Sequence, residues 1–105
     1  MPTISADNSY QTVLTTLEVT PGTCEDVLDA LKDAYAKVIS KQPGFKAGAL
    51  HVNDAQTRIA NYSQWARRED FQAMLRTKEM RERNRVIHAQ VKSFEPVMYE
   101  VGAVF

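Results

Sequence analysis

Residues 58–65, Arg58-Ile59-Ala60-Asn61-Tyr62-Ser63-Gln64-Trp65, run directly into Ala66-Arg67-Arg68-Glu69-Asp70-Phe71. The stretch reads as a strand passing into a helix, with the single tryptophan of the chain at the junction. Alternate side chains of a strand share a face, so Ile59, Asn61, Ser63 and Trp65 point the same way. That face is apolar at its ends and polar in the middle. A carboxamide and an indole N–H taken out of water need hydrogen-bond partners, so the face either joins an internal polar network or lines a cavity that a ligand enters.

Upstream, Asn53-Asp54-Ala55-Gln56 is a turn, and Phe45 to Asn53 is a strand weakened by Gly48. Strands joined so tightly pair antiparallel. Downstream, Phe71, Met74 and Leu75 suggest a short helix, and Lys78 to Val91 a second helical stretch with Ile87 and Val91 on its buried side. Phe94, Val97, Tyr99, Val101, Ala103 and Phe105 mark a last strand, with Pro96 at an edge or bulge. At the other end, residues 1–9 are expected to form a flexible polar tail before the single domain at 10–105. Tyr10 to Thr20 is a first strand with Val13, Thr15, Leu17 and Val19 on one face, and it stops at Pro21-Gly22. Thr23 is a helix N-cap with Glu25 and Asp26 in the first turn. The stripe Val27, Leu28, Leu31, Ala34, Tyr35, Val38 and Ile39 then predicts a helix ending before Pro43-Gly44.

The order strand, helix, strand, strand, helix, strand is the ferredoxin-like α+β arrangement: a four-stranded antiparallel sheet with its helices on one face. The other sheet face has no cover within the chain. Alternation places Leu14, Leu50, Val52, Tyr62 and Met98 there, more apolar surface than a soluble monomer leaves exposed. Two such faces packed together give a homodimer, a dimeric α+β barrel.

The chain of 105 residues, 44% hydrophobic and 25% charged, has the size and composition of one ordinary globular domain. Its formal net charge of zero gives it no overall attraction to nucleic acid or anionic lipid. Seven basic residues (Arg67, Arg68, Arg76, Lys78, Arg81, Arg83, Arg85) stand among four acidic ones between 67 and 85, interleaved as on a solvated helix face. No apolar run is long enough to cross a bilayer, and the N-terminus does not read as a secretion signal. The lone Cys24 forms no internal disulfide and fits a reducing, cytoplasmic setting.

Pro43-Gly44-Phe45, the run from Arg58 to Trp65, Glu69-Asp70-Phe71 and the closing Phe94-Glu95-Pro96 together resemble the antibiotic biosynthesis monooxygenase (ABM) family over roughly residues 10–105. The resemblance implies a dimeric ferredoxin-like protein that oxidises an aromatic, polyketide-like phenolic molecule with O2 and needs neither metal nor flavin. It puts Asn61 and Trp65 at pocket positions and Arg85 at the basic position on the following helix. Phe71 stands where some quinone-forming members carry a tyrosine, so a proton transfer through that hydroxyl is ruled out here. A haem-degrading branch of the family carries a histidine where this chain has Leu75 or its neighbours and an asparagine where it has Thr15, and both departures argue against haem.

The groups suit that chemistry. A deprotonated electron-rich phenol can itself reduce O2, leaving the protein to exclude water, hold the ring and stabilise an oxyanion. Asn61 and Trp65 supply donors and Arg85 a permanent charge. Thr15, Ser63, Phe71, Met74 and His88 are the expected substrate contacts. His51 and His88 lack ligand spacing and predict no metal site. Each group also has a plain structural reading: a tryptophan at a strand end anchors a core, an asparagine satisfies backbone groups, and an arginine on this helix faces water. The alternative to an oxygenase is a small-molecule binding or isomerase-type protein on the same dimeric barrel.

Overall fold

A computed structural model describes residues 3–5 and 9–105. The chain forms β1 (Gln11–Glu18), α1 (Cys24–Lys37), a 3-10 turn (Ile39–Lys41), β2 (Phe45–Val52), β3 (Arg58–Trp65), α2 (Arg68–Arg76), α3 (Lys78–His88) and β4 (Ser93–Tyr99). The sheet is antiparallel in the order β2-β3-β1-β4, the ferredoxin-like α+β fold. Pro96 lies on β4, an edge strand, where a missing N–H costs least. The last strand stops at Tyr99, and residues 100–105 adopt no regular structure.

Local chemistry sets each boundary. Thr23 precedes α1, but its hydroxyl turns back to accept from the Thr20 N–H at 3.2 Å and does not cap the helix. Thr77 ends α2 and opens α3, its Oγ1 accepting from the Met80 N–H at 3.2 Å. In the β2–β3 turn the Asn53 carboxamide accepts from the Thr57 and Arg58 N–H groups at 2.9 and 2.8 Å. Gly44, at φ +82°, takes a conformation that L side chains avoid, and a Cβ there would lie 2.1 Å from Asp70 Oδ2. The Pro43-Gly44-Phe45 turn and the start of α2 are thus in direct contact, which accounts for two of the stretches that carry the family resemblance.

The core lies between the sheet and the helices. One half gathers Val13, Ala34, Trp65, Phe71, Met74 and Met80, the other Leu17, Val27, Leu31, Ile59 and Ile87. The open face differs from expectation at three residues. Leu50 and Val52 belong to the helix side, because Phe45 pairs with Trp65 while Ala47 pairs with Gln64, and the extra residue at Lys46 reverses the alternation beyond it. Met98, opposite Val13, also faces the helices. The open face instead carries Leu14, Ala49, Tyr62, Val97 and Tyr99. Gln64 is buried on it: its Oε1 accepts from the Thr3 N–H at 3.0 Å and its Nε2 donates to the Thr3 carbonyl, so Thr3 is tied across this surface.

Candidate active site

The helix-facing row of β3 supplies the polar centre. Trp65 has no exposed surface. Its ring meets Phe45 and Phe71 edge to face, with centroids 5.4 and 5.9 Å away. Its Nε1–H donates to Ser63 Oγ at 3.0 Å, so the indole's polar atom is satisfied inside the core. Asn61 sits one pleat pair further along, between Thr15 on β1 and Leu50 on β2. Thr15 is buried and lies opposite Pro96 on its other side.

Tyr35, from the middle of α1, completes the group. Its hydroxyl donates to Asn61 Oδ1. Burial pushes the phenol up to about 12, and hydrogen bonds with Ser63 and Asn61 pull partly the other way. Trp65, Ser63, Tyr35 and Asn61 therefore form one hydrogen-bonded set beneath the sheet. With Oδ1 taken by Tyr35, the Asn61 NH2 is the part of the amide left to donate to an oxyanion. Gly48 makes room for the tyrosine, since a Cβ there would lie 2.6 Å from Tyr35 Cε1. Outside this set, a groove of about 560 Å³ runs between α1 and β2, lined by Tyr35, Phe45, Gly48 and Leu50 among others.

The structure brings Asn61, Ser63, Trp65 and Thr15 together on one face, with Phe71 and Met74 buried against Trp65 in the core. Arg85 is not among them. It is exposed on the outer side of α3 with Lys78 and Arg81, while Arg83 turns inward to pair with Asp33 of α1. That pair, with Lys37 at 3.0 Å, holds the Asp33 carboxyl below its usual range, the Arg83 hydrogen bond acting most strongly. His88 is exposed at the end of α3, its ring centroid 4.3 Å from that of Phe94. Among the described residues no cluster of His, Cys, Asp or Glu could hold a metal ion, and no helix is long and apolar enough to cross a membrane.

Periodicity assigns Tyr35 to the apolar stripe of α1 and marks Gly48 only as a weakness in β2, so neither stands out from the sequence as a site residue. The available signal was a tyrosine with a polar tip in an otherwise aliphatic stripe and a glycine inside a strand, which marks close approach of another group.

The fold and the polar set under its sheet define a ferredoxin-like α+β protein with a candidate small-molecule site. A family profile described as antibiotic biosynthesis monooxygenase matches residues 11–85. The chain belongs to the antibiotic biosynthesis monooxygenase family. Comparison with curated protein sequences gives no match. Solved structures share the fold at low identity. SnoaB of Streptomyces nogalater, described as a cofactor-independent oxygenase and solved as an asparagine-to-alanine variant, superposes with a TM-score of 0.79 at 15% identity, covering 91% of this chain and 96% of that one. The ActVA-Orf6 monooxygenase of Streptomyces coelicolor, in complex with nanaomycin D, gives 0.79 at 17% identity over 94% of each chain. A protein of Nitrosomonas europaea provisionally named an antibiotic biosynthesis monooxygenase gives 0.79 at 14% identity over 96% of each.

Proposed function

We propose that this protein is a cofactor-independent monooxygenase that oxidises an aromatic, polyketide-like phenolic molecule with O2, with Asn61 at the reacting centre. The observation that carries the reading is the hydrogen bond from the Tyr35 phenol to Asn61. The carboxamide is placed by three neighbouring strands and already accommodates a phenolic oxygen. Support comes from the family, from the description of SnoaB as cofactor-independent and from nanaomycin D bound to ActVA-Orf6.

In this reading the substrate loses a proton from its activated carbon and the resulting carbanion reduces O2. The methylene carbon exchanges two hydrogens for one oxygen atom. The second oxygen atom leaves with those hydrogens as water, so all four electrons come from the substrate and no further reductant enters. The Asn61 NH2 donates to the substrate oxyanion, and Ser63 and Trp65 hold the strand face in place. Thr15, Phe71 and Met74 shape the compartment. Phe71 has no hydroxyl, but Tyr35 packs against the same half of the core from α1 and brings a phenol to Asn61. Arg85 and His88 are exposed on α3, away from the set that Tyr35 and Asn61 form. The open sheet face packs on that of a second copy to give a homodimeric barrel, and the single cysteine suits a cytoplasmic setting.

Oxygen uptake with an anthrone tests this reading. The native protein consumes O2 above the buffer rate, and Asn61→Ala lowers the rate by about 10²–10³-fold, the loss typical of one oxyanion donor. Uptake no faster than buffer, or unchanged in Asn61→Ala, defeats it. The phenylalanine at position 71, which has no hydroxyl, favours a second reading, a binding or isomerase-type protein without oxygenase activity. A ligand that raises the melting temperature while no O2 is consumed identifies that case.

A further inference from the structure

The groove between α1 and β2 has a composition of its own. At about 560 Å³ it falls in the size range of small-molecule sites. Phe45 and Leu50 give it apolar walls, and at Gly48 the Tyr35 ring lies directly against the strand backbone. Tyr35 and Phe45 stand edge to face with centroids 6.0 Å apart, so a ring entering the groove meets aromatic surface from both. The charge in the groove has one sign. Lys32 of α1 and Lys46 of β2 are on the rim, and no acidic side chain lines it. The two lysines are not equivalent. The Lys46 ammonium lies 5.6 Å from the centre of the Tyr10 ring, whereas Lys32 takes part in none of the ion pairs among the described residues, and its neighbour Asp33 is held by Arg83 and Lys37.

We infer that this groove binds a planar aromatic molecule carrying a carboxylate or comparable anionic group, and that Lys32 sets the preference for the anion. As a statement about substrate class it rests on the oxygenase reading, because Tyr35 is both the groove's wall and the partner of Asn61. As a statement about binding it stands separately. The chemistry is that of an aromatic ring in a small apolar slot with a cation at one end, where a carboxylate gains a charge-assisted hydrogen bond that a neutral group cannot form.

Titration calorimetry at low salt with 9,10-anthraquinone-2-carboxylate and its neutral 2-hydroxymethyl counterpart tests the inference. The native protein binds the carboxylate about 3–5-fold more tightly, as expected of one exposed charge pair. Lys32→Gln, an exposed substitution that leaves the core untouched, brings the two affinities within twofold of each other and leaves that of the neutral compound unchanged. Lys46→Gln preserves the preference, and Gly48→Ala weakens both compounds. Binding of neither compound at millimolar concentration, equal affinities in the native protein, or a preference that survives Lys32→Gln overturns the inference. The two readings fail separately. A preference lost in Lys32→Gln with no O2 uptake from any phenol upholds the groove and removes the oxygenase, whereas O2 uptake with affinities indifferent to Lys32 does the reverse.

Discussion

Tyr35 is a phenol whose ionisation is opposed by its surroundings, and this has a measurable sign. Its value of about 12 in the folded protein exceeds the ordinary 10 of an unfolded chain, so the folded state holds the proton longer. The stabilisation is complete below pH 10 and is lost as pH rises from 10 to 12. Between those limits the native protein should lose up to about 2–3 kcal/mol relative to Tyr35→Phe, which denaturant midpoints of the two proteins at pH 9.5 and 11.5 will show. Below that range the variant should be the weaker of the two by about 1 kcal/mol, through loss of the bond to Asn61. Gly48 answers to the same ring. Gly48→Ala forces a Cβ within 2.6 Å of Tyr35 Cε1 and should cost about 1–3 kcal/mol. In a Tyr35→Ala background most of that penalty should vanish, and a double-mutant cycle measures the coupling. If the two substitutions simply add, the contact carries no weight.

At the level of elements, the turn before β2 and the start of α2 act as a unit. Gly44→Ala imposes left-handed strain of about 1–2 kcal/mol and drives a methyl into Asp70, so thermal unfolding should move down by roughly 5–15 °C. Much of this layer was legible in the residues. The alternation Ile59, Asn61, Ser63, Trp65 gave β3, the turn Asn53-Asp54-Ala55-Gln56 gave its pairing with β2, and the three-four stripe gave α1. The unread parts have specific causes. Phe45-Lys46-Ala47-Gly48 contains no mark of the extra residue at Lys46, so Leu50 and Val52 were placed on the wrong side of the sheet. Arginines at 81, 83 and 85 do not phase a helix. Only the packing of α3 against α1 sends Arg83 to Asp33 and leaves Arg85 in water. Tyr35 went unnoticed because periodicity records that a side chain is buried and says nothing of the group its tip meets.

For the molecule as a whole, the open sheet face bears on association. Leu14, Tyr62, Val97 and Tyr99 lie on it, the last two about half exposed at 43% and 48%. Light scattering at micromolar concentration should give twice the mass of one chain, and Val97→Glu, placed in the middle of β4 on that face, should return the monomer without lowering secondary structure. A native protein that scatters as a single chain removes the barrel. The strand order has a further consequence, for synthesis. β1 is made first, yet it lies between β3 and β4, and the partner on one side is the last strand of the chain. A nascent chain therefore carries a strand with an unfilled flank until Ser93–Tyr99 has left the ribosome, and the fourth strand can join the sheet only after the other three have been made.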